Sequence, residues 1–202
     1  MSDHIIFKFR KIDKNTLKSL VNNELYFARP ERLNDPFDCR VNIVSSLKNA
    51  ISRAGRLSRD ELERLLKIID SMNLDQLKSD LENIGVCSFS LEFNNTLMWS
   101  HYADNHHGIC LTYEFPKSFF DKTANEILGI VDVDYGLNPL SDWFLQKALE
   151  HESLKDFVGD LIKKALTVKA KLWEYEKEVR ILRKQEGVHV INSTFGFEIT
   201  RR

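Results

Sequence analysis

Asn94-Asn95-Thr96-Leu97-Met98-Trp99-Ser100-His101-Tyr102-Ala103-Asp104-Asn105-His106-His107-Gly108 runs directly into Ile109-Cys110-Leu111-Thr112-Tyr113-Glu114-Phe115. Asparagines before a helix accept hydrogen bonds from its first free N–H groups, and a glycine after it closes the last turn. The stretch therefore predicts a short helix from near Thr96, stopped by Gly108 and feeding a strand over residues 109–115. Elsewhere, strand candidates lie between helices of unequal length with no regular βαβ rhythm. That decides for an α+β fold, a single domain with a mixed or mostly antiparallel core sheet, flanking helices and a helical insertion.

Outward from this unit, residues 86–90 (VCSFS) precede it as a strand. Residues 4–10 hold Ile5, Ile6, Phe7 and Phe9 and have strand composition. Asp13 caps a helix with Leu17, Leu20 and Val21 at helical spacing, and residues 24–28 (ELYFA) form a second strand. Asn34-Asp35-Pro36-Phe37-Asp38 combines a proline-fixed backbone with side chains that bond their own main chain, which is turn chemistry. From about residue 46 to 84 helix formers take over. Ser58 with Glu61 and Asn73 with Gln76 are capping boxes for two amphipathic helices, and Gly85 is the stop. Residues 126–135 alternate as a strand, 141–150 form a short helix, and a longer helix follows Ser153. Residues 175–183 and 188–198 are read as the last two strands.

The chain of 202 residues fits one domain, residues 1–202. Hydrophobic residues at 43% and charged residues at 29% match a globular protein. A net charge of −1 supplies no global field toward nucleic acid or an anionic membrane, so neither is an expected partner. Scattered basics at Arg29, Arg32, Arg40, Arg53 and Arg56 leave local nucleic-acid binding as a third reading. Three cysteines, Cys39, Cys87 and Cys110, without a C-x-x-C pair point to reduced thiols. No leader pattern and no run of about 18 apolar residues occurs, so the expected location is cytoplasmic.

His101, Asp104, His106 and His107 invite a metal, but helical ligands sit three or four apart, as in H-E-x-x-H, and His101 to His106 is five apart. No metal is expected. Cys87 and Cys110 lie in apolar runs, the opposite of the electropositive, partly exposed setting that activates a thiol. A carboxylate row remains in Tyr175-Glu176-Lys177-Glu178-Val179-Arg180-Ile181. Read as one strand, it puts Tyr175, Val179 and Ile181 on the core face and Glu176, Glu178 and Arg180 on the other, with the two carboxylates roughly 7 Å apart. Such a pair belongs either to a solvated strand face or to a site where one carboxylate stabilises a positive transition state and the other positions an acceptor.

Five blocks carry a family resemblance over nearly the whole chain: Phe7-Lys8-Phe9-Arg10; Glu24-Leu25-Tyr26-Phe27-Ala28-Arg29-Pro30 running into Asn34-Asp35-Pro36-Phe37-Asp38; Cys87-Ser88-Phe89-Ser90; Leu97 to Asp104 with Gly108; and Lys171-x-Trp173-x-Tyr175-Glu176-Lys177-Glu178-Val179-Arg180-Ile181. The chain resembles the bacterial family catalogued as domain of unknown function 2971 (DUF2971), a name that implies no activity. It is also similar, in the order Arg10, Ser88 or Ser90, Glu176-x-Glu178, to ADP-ribosyltransferases of the arginine, serine, glutamate type. That resemblance implies a nucleotide or NAD as ligand. Arg10 would bind phosphates, Ser90 the nicotinamide-ribose region, Glu178 would stabilise an oxocarbenium ion and Glu176 would orient the acceptor. The chain departs from that pattern in lacking Ser-Thr-Ser and in the long helical segment after Arg10.

Two main readings follow. A nucleotide- or NAD-utilising transferase requires Arg10, Ser90, Glu178 and the Trp99 to Tyr102 helix to converge on one cleft, with Glu178, Glu176 and His101 as the catalytic candidates. A non-catalytic ligand-binding or sensor module in stress or phage defence requires instead an aromatic pocket from Tyr26, Phe37, Trp99 and Tyr102. In either case Trp99, His101 and Tyr102 are expected to wall a pocket whose charges come from Arg10, Asp35 and Glu178. Oligomeric state is not legible.

Overall fold

The computed structural model describes residues 4–35, 38–115, 119–120, 123–150, 153–190 and 197–200. In chain order its elements are β1 (His4–Arg10), α1 (Lys14–Val21), β2 (Glu24–Phe27), α2 (Ile43–Arg53), α3 (Arg56–Ser71), α4 (Leu74–Asn83), β3 (Gly85–Ser90), α5 (Thr96–Tyr102), β4 (Ile109–Phe115), β5 (Ile127–Asp132), β6 (Asp134–Gly136), α6 (Pro139–Lys147), α7 (Leu154–Ala165), β7 (Val168–Ala170), β8 (Glu178–Arg183), β9 (Gly187–Val190) and β10 (Phe197–Thr200). Two 3-10 turns, Pro30–Arg32 and Lys171–Glu176, complete it. The α+β class is borne out. The chain divides into two compact units, one of Met1–Arg29, Ile84–Val133 and Trp173–Arg202, the other of Pro30–Asn83 and Asp134–Leu172.

The first unit is built on a six-stranded sheet in the order β10-β4-β1-β3-β8-β5, with every neighbouring pair antiparallel. Strand side chains alternate between faces, and directly opposed residues share a face. One face carries Ile6, Cys87, Phe89, Leu111, Tyr113, Phe115, Val179 and Ile181, which pack with Leu25 and Phe27 into the main core. Those two come from the β2–β9 ribbon, tied to the sheet by the Ala28–Val86 bridge. Gly85 starts β3 because a Cβ there would stand 2.5 Å from the Gln185 carbonyl oxygen. On the opposite face Phe9 and Cys110 lie under Met98 and Trp99 of α5 and Ala103, which caps its end. The Phe9 and Trp99 rings meet edge to face at 5.3 Å. In α1, capped by Asp13 as expected, Leu20 packs on the core while Leu17 and Val21 are exposed.

The second unit is mainly helical. Leu47 and Ala50 of α2 pack with Leu62, Leu65 and Ile69 of α3 and with Leu140, Phe144, Phe157 and Leu161 of α6 and α7. Trp143 and Phe157 stack at 5.8 Å, and Arg53 pairs with Asp142 at 2.6 Å. A short parallel pair, β6 with β7, completes the unit, with Lys164 paired to Asp134.

Several expected boundaries are corrected. The helical segment placed at about 46–84 begins at Ile43, contains three helices rather than two, and shares its core with residues 134–172. The Ser58 capping box gives way to a start at Arg56 behind Gly55, whereas Asn73 does accept from the Gln76 N–H, at 3.1 Å. The strand placed over 126–135 is two strands, β5 and β6. That placed over 188–198 is β9 and β10, with residues 191–196 outside the described ones.

Candidate functional site

The α5 face of the sheet carries a buried polar cluster, and its construction starts at Asn95. The Asn95 side-chain oxygen accepts from the Leu97 and Met98 N–H groups, at 3.0 and 3.3 Å, and its amide donates to the Tyr175 carbonyl at 2.6 Å. One residue thus starts α5 and fastens it to the turn ahead of β8. Trp99 is buried, and its indole N–H donates to the Phe93 carbonyl at 2.7 Å. After α5 the chain passes through Asp104, Asn105 and His106 with φ of 50°, 51° and 70°. Three successive side-chain-bearing residues in the left-handed region are unusual, although Asn, Asp and His are the types that tolerate it best. The turn satisfies the helix end: Asn105 N–H donates to Ser100 and His106 N–H to Trp99. Gly108 then passes so close to β1 that a Cβ would stand 2.3 Å from the Arg10 carbonyl oxygen.

Tyr102, at the end of α5, donates to Glu176 Oε1 at 2.5 Å. The Glu176 carbonyl accepts the Ser90 hydroxyl at 2.7 Å. Ser90 faces Glu178 directly across β3 and β8, and Glu178 is clamped by Arg180, with Nε to Oε1 at 2.8 Å and Nη2 to Oε2 at 3.0 Å. Glu176, Glu178 and Arg180 are 3%, 6% and 0% exposed. Such burials are costly unless the groups are paired or bonded; Glu178 and Arg180 pair with each other, and Tyr102 bonds Glu176.

Here the strand expected from Tyr175 is corrected. Residues 171–176 form a 3-10 turn and β8 begins only at Glu178, so the two glutamates do not share a strand face and the 7 Å spacing does not apply. Both point inward because Lys177 between them is left-handed, with φ of 44°, and turns its own side chain to solvent. Nor is the face of Glu178 and Arg180 a solvated one.

The expected site residues separate into groups. Ser90, Trp99, Tyr102, Glu176 and Glu178 share one face. His101 is exposed above them, its ring 6.0 Å from Tyr175. Arg10 faces the other way, because it lies three residues beyond Phe7, the partner of Ser90 on an unbroken strand. It points into the Tyr113 side, where burial above all raises the phenol and the Cys87 thiol adds to it, while the Arg10 charge opposes them. The expected convergence of Arg10 with Ser90 and Glu178 is therefore absent. Tyr26 is 45% exposed on the β2–β9 ribbon, opposite Val188, so it joins no aromatic pocket with Trp99. Asp35 belongs to the second unit, buried, its carbonyl accepting from the Asp38 N–H. Pro36 and Phe37 lie outside the described residues.

Burial pushes the Cys110 thiol up to about 12, which keeps it protonated. Of the scattered basics, Arg29 pairs with Glu186 and Arg53 with Asp142. Among the described residues no three His, Cys, Asp or Glu gather as a metal group, and no helix is long and apolar enough to cross a membrane. Sequence reasoning missed the partnership of Arg180. Its signal was a charge set inside the apolar run Val179-Arg180-Ile181-Leu182. It also missed, in the second unit, the buried Asp38–Lys169 pair at 3.4 Å.

Residues 98–181 match the model of a family described as protein of unknown function (DUF2971), which bears out that resemblance over a stretch running from α5 to β8. No curated protein and no solved structure matches the chain.

Proposed function

We propose that the α5 face of the first unit is the reaction centre of a nucleotide- or NAD-utilising transferase, with Glu178 as its electrostatic centre. The observation that supports the reading is the register. Strands β3 and β8, which bear Ser90 and Glu178, are neighbours in the sheet, and Ser90 stands directly opposite Glu178 on the face that α5 covers. In this reading the sugar carbon–nitrogen bond of the substrate breaks, its electron pair leaves with the base, and Glu178 stabilises the cation left on the sugar. Glu176, held by Tyr102, orients the acceptor, and Ser90 fixes the turn carrying Glu176. Arg10 takes no part.

A carboxylate about 4 Å from a cation contributes roughly 4 kcal/mol at an effective dielectric of 20. Arg180, at about 7 Å, opposes it by roughly 2.4 kcal/mol. Exchanging Glu178 for glutamine removes the attraction and keeps the repulsion, so turnover falls about 10³-fold. The experiment is incubation with NAD, measuring nicotinamide release and label transfer for wild type and Glu178→Gln. Absence of both products in wild type, together with equal behaviour of the variant in a host-toxicity assay, refutes the reading.

A second reading, a sensor that binds without turnover, is favoured by the saturation of the cluster: Arg180 already holds both Glu178 oxygens and Tyr102 holds Glu176. Thermal stabilisation by nucleotides without product decides for it.

A further inference from the structure

The second unit holds a cavity of about 580 Å³ that no step above uses. Small-molecule sites span about 300–1,000 Å³ and combine apolar walls with a few placed charges. Val41 and Val44 line one part of it, before and within the first turn of α2. Leu77 and Leu81 line another, four residues apart on α4 and therefore on one helix face.

The charges in the wall are unequal in effect. Lys78 and Glu82 pair with each other at 3.8 Å and largely cancel. Arg40 adjoins the start of α2, where the Asn42 side chain accepts from the Ser45 N–H while the N–H groups of the first turn add positive potential. Glu31, on the Pro30–Arg32 turn, repels an anion from its own part of the wall, which leaves Arg40 and the first turn of α2 as the place for a single anionic head. Cys39 also lines it, half-buried, with its Sγ 3.4 Å from Asp38 Oδ1. Because Cys87 and Cys110 are buried, Cys39 is a natural reporter of occupancy.

We propose that this cavity binds a small amphipathic anion, with a single anionic head against Arg40 and the first turn of α2 and an apolar body among Val41, Val44, Leu77 and Leu81. Nothing in it depends on the chemistry of the first unit.

The test uses decanoate and its uncharged counterpart decanol on the full chain, reading the rate of Cys39 alkylation by N-ethylmaleimide and, in parallel, binding by calorimetry. Decanoate slows alkylation several-fold and binds more tightly than decanol. Arg40→Glu, an exposed change, weakens decanoate about tenfold and leaves decanol unaltered. No heat and no protection with either probe overturns the proposal. So does equal binding of the two probes, or decanoate binding that Arg40→Glu does not change.

Discussion

Removing the Arg180 guanidinium while keeping its bulk, as in Arg180→Met, takes the opposite charge and two hydrogen bonds of 2.8 and 3.0 Å away from a carboxylate that is 6% exposed. Breaking a buried pair in this way costs about 3–5 kcal/mol, a large share of the 5–15 kcal/mol that holds a typical domain together. Glu178→Leu combined with Arg180→Met replaces the pair by apolar groups. The double variant is expected to be less destabilised than the sum of the singles by about 1–3 kcal/mol. The pH dependence is the sharper signature. In Arg180→Met the buried Glu178 carboxyl, without the guanidinium, rises above its unfolded value of about 4.3. The folded state then holds that proton more tightly than the unfolded chain. Stability is full below the unfolded value and is lost as pH rises through the raised folded one. Urea unfolding followed by tryptophan fluorescence at pH 4 and pH 7 measures this: the gap to wild type narrows at pH 4. A gap independent of pH, or a double variant as unstable as the summed singles, refutes the assignment of a buried, ionised pair.

Asn105→Gly relieves one left-handed residue after α5 and is expected to stabilise by up to about 1 kcal/mol, whereas Gly108→Ala drives a methyl onto the Arg10 carbonyl and destabilises by about 1–3 kcal/mol; thermal melts of the pair show the opposite signs. Tyr102→Phe removes the hydrogen bond to Glu176 and costs about 1.5–3 kcal/mol, measured by the urea midpoint. Glu126 is held below the ordinary carboxylate range, chiefly by the Arg183 hydrogen bond. Its contribution is present above the unfolded value and lost as pH falls through the depressed folded one, so Arg183→Gln flattens the acid limb of the stability profile. Counting alkylated thiols by mass gives one, Cys39, in the folded chain and three after denaturation.

What the residues disclosed in advance was local. The Asn95 and Asp13 caps, the helix after Ser153 and the strands around Phe7, Phe89 and Leu111 follow from short-range chemistry and stand where the spacing put them, whereas α5 already ends at Tyr102, well before the Gly108 expected to stop it. The turn at Lys177 misled the reading because Tyr175, Val179 and Ile181 keep a period of two that a strand and a kinked 3-10 turn both satisfy. Arg180 misled it differently: a charged residue on a strand implies solvent unless its partner is known, and clamping Glu178 in a covered sheet face is a tertiary fact. The exposure of Val21 and the opposite facing of Arg10 likewise depend on register and packing. The joining of 43–83 with 134–172 depends on contacts about ninety residues apart in sequence, such as Ser141 with Ser46.

The strand order fixes a timetable. β1 is made first but lies between β4 and β3, and β8, paired with β3, arrives only after the whole second unit has been synthesised. β4, with its Ile-Cys-Leu-Thr-Tyr sequence, keeps one bare edge until residues 197–200 add β10 along it. A ribosome-bound or C-terminally shortened chain therefore displays an apolar strand with unpaired backbone, the kind of edge that recruits a neighbouring chain. A chain that stops before residue 197 is expected to move from the supernatant to the pellet.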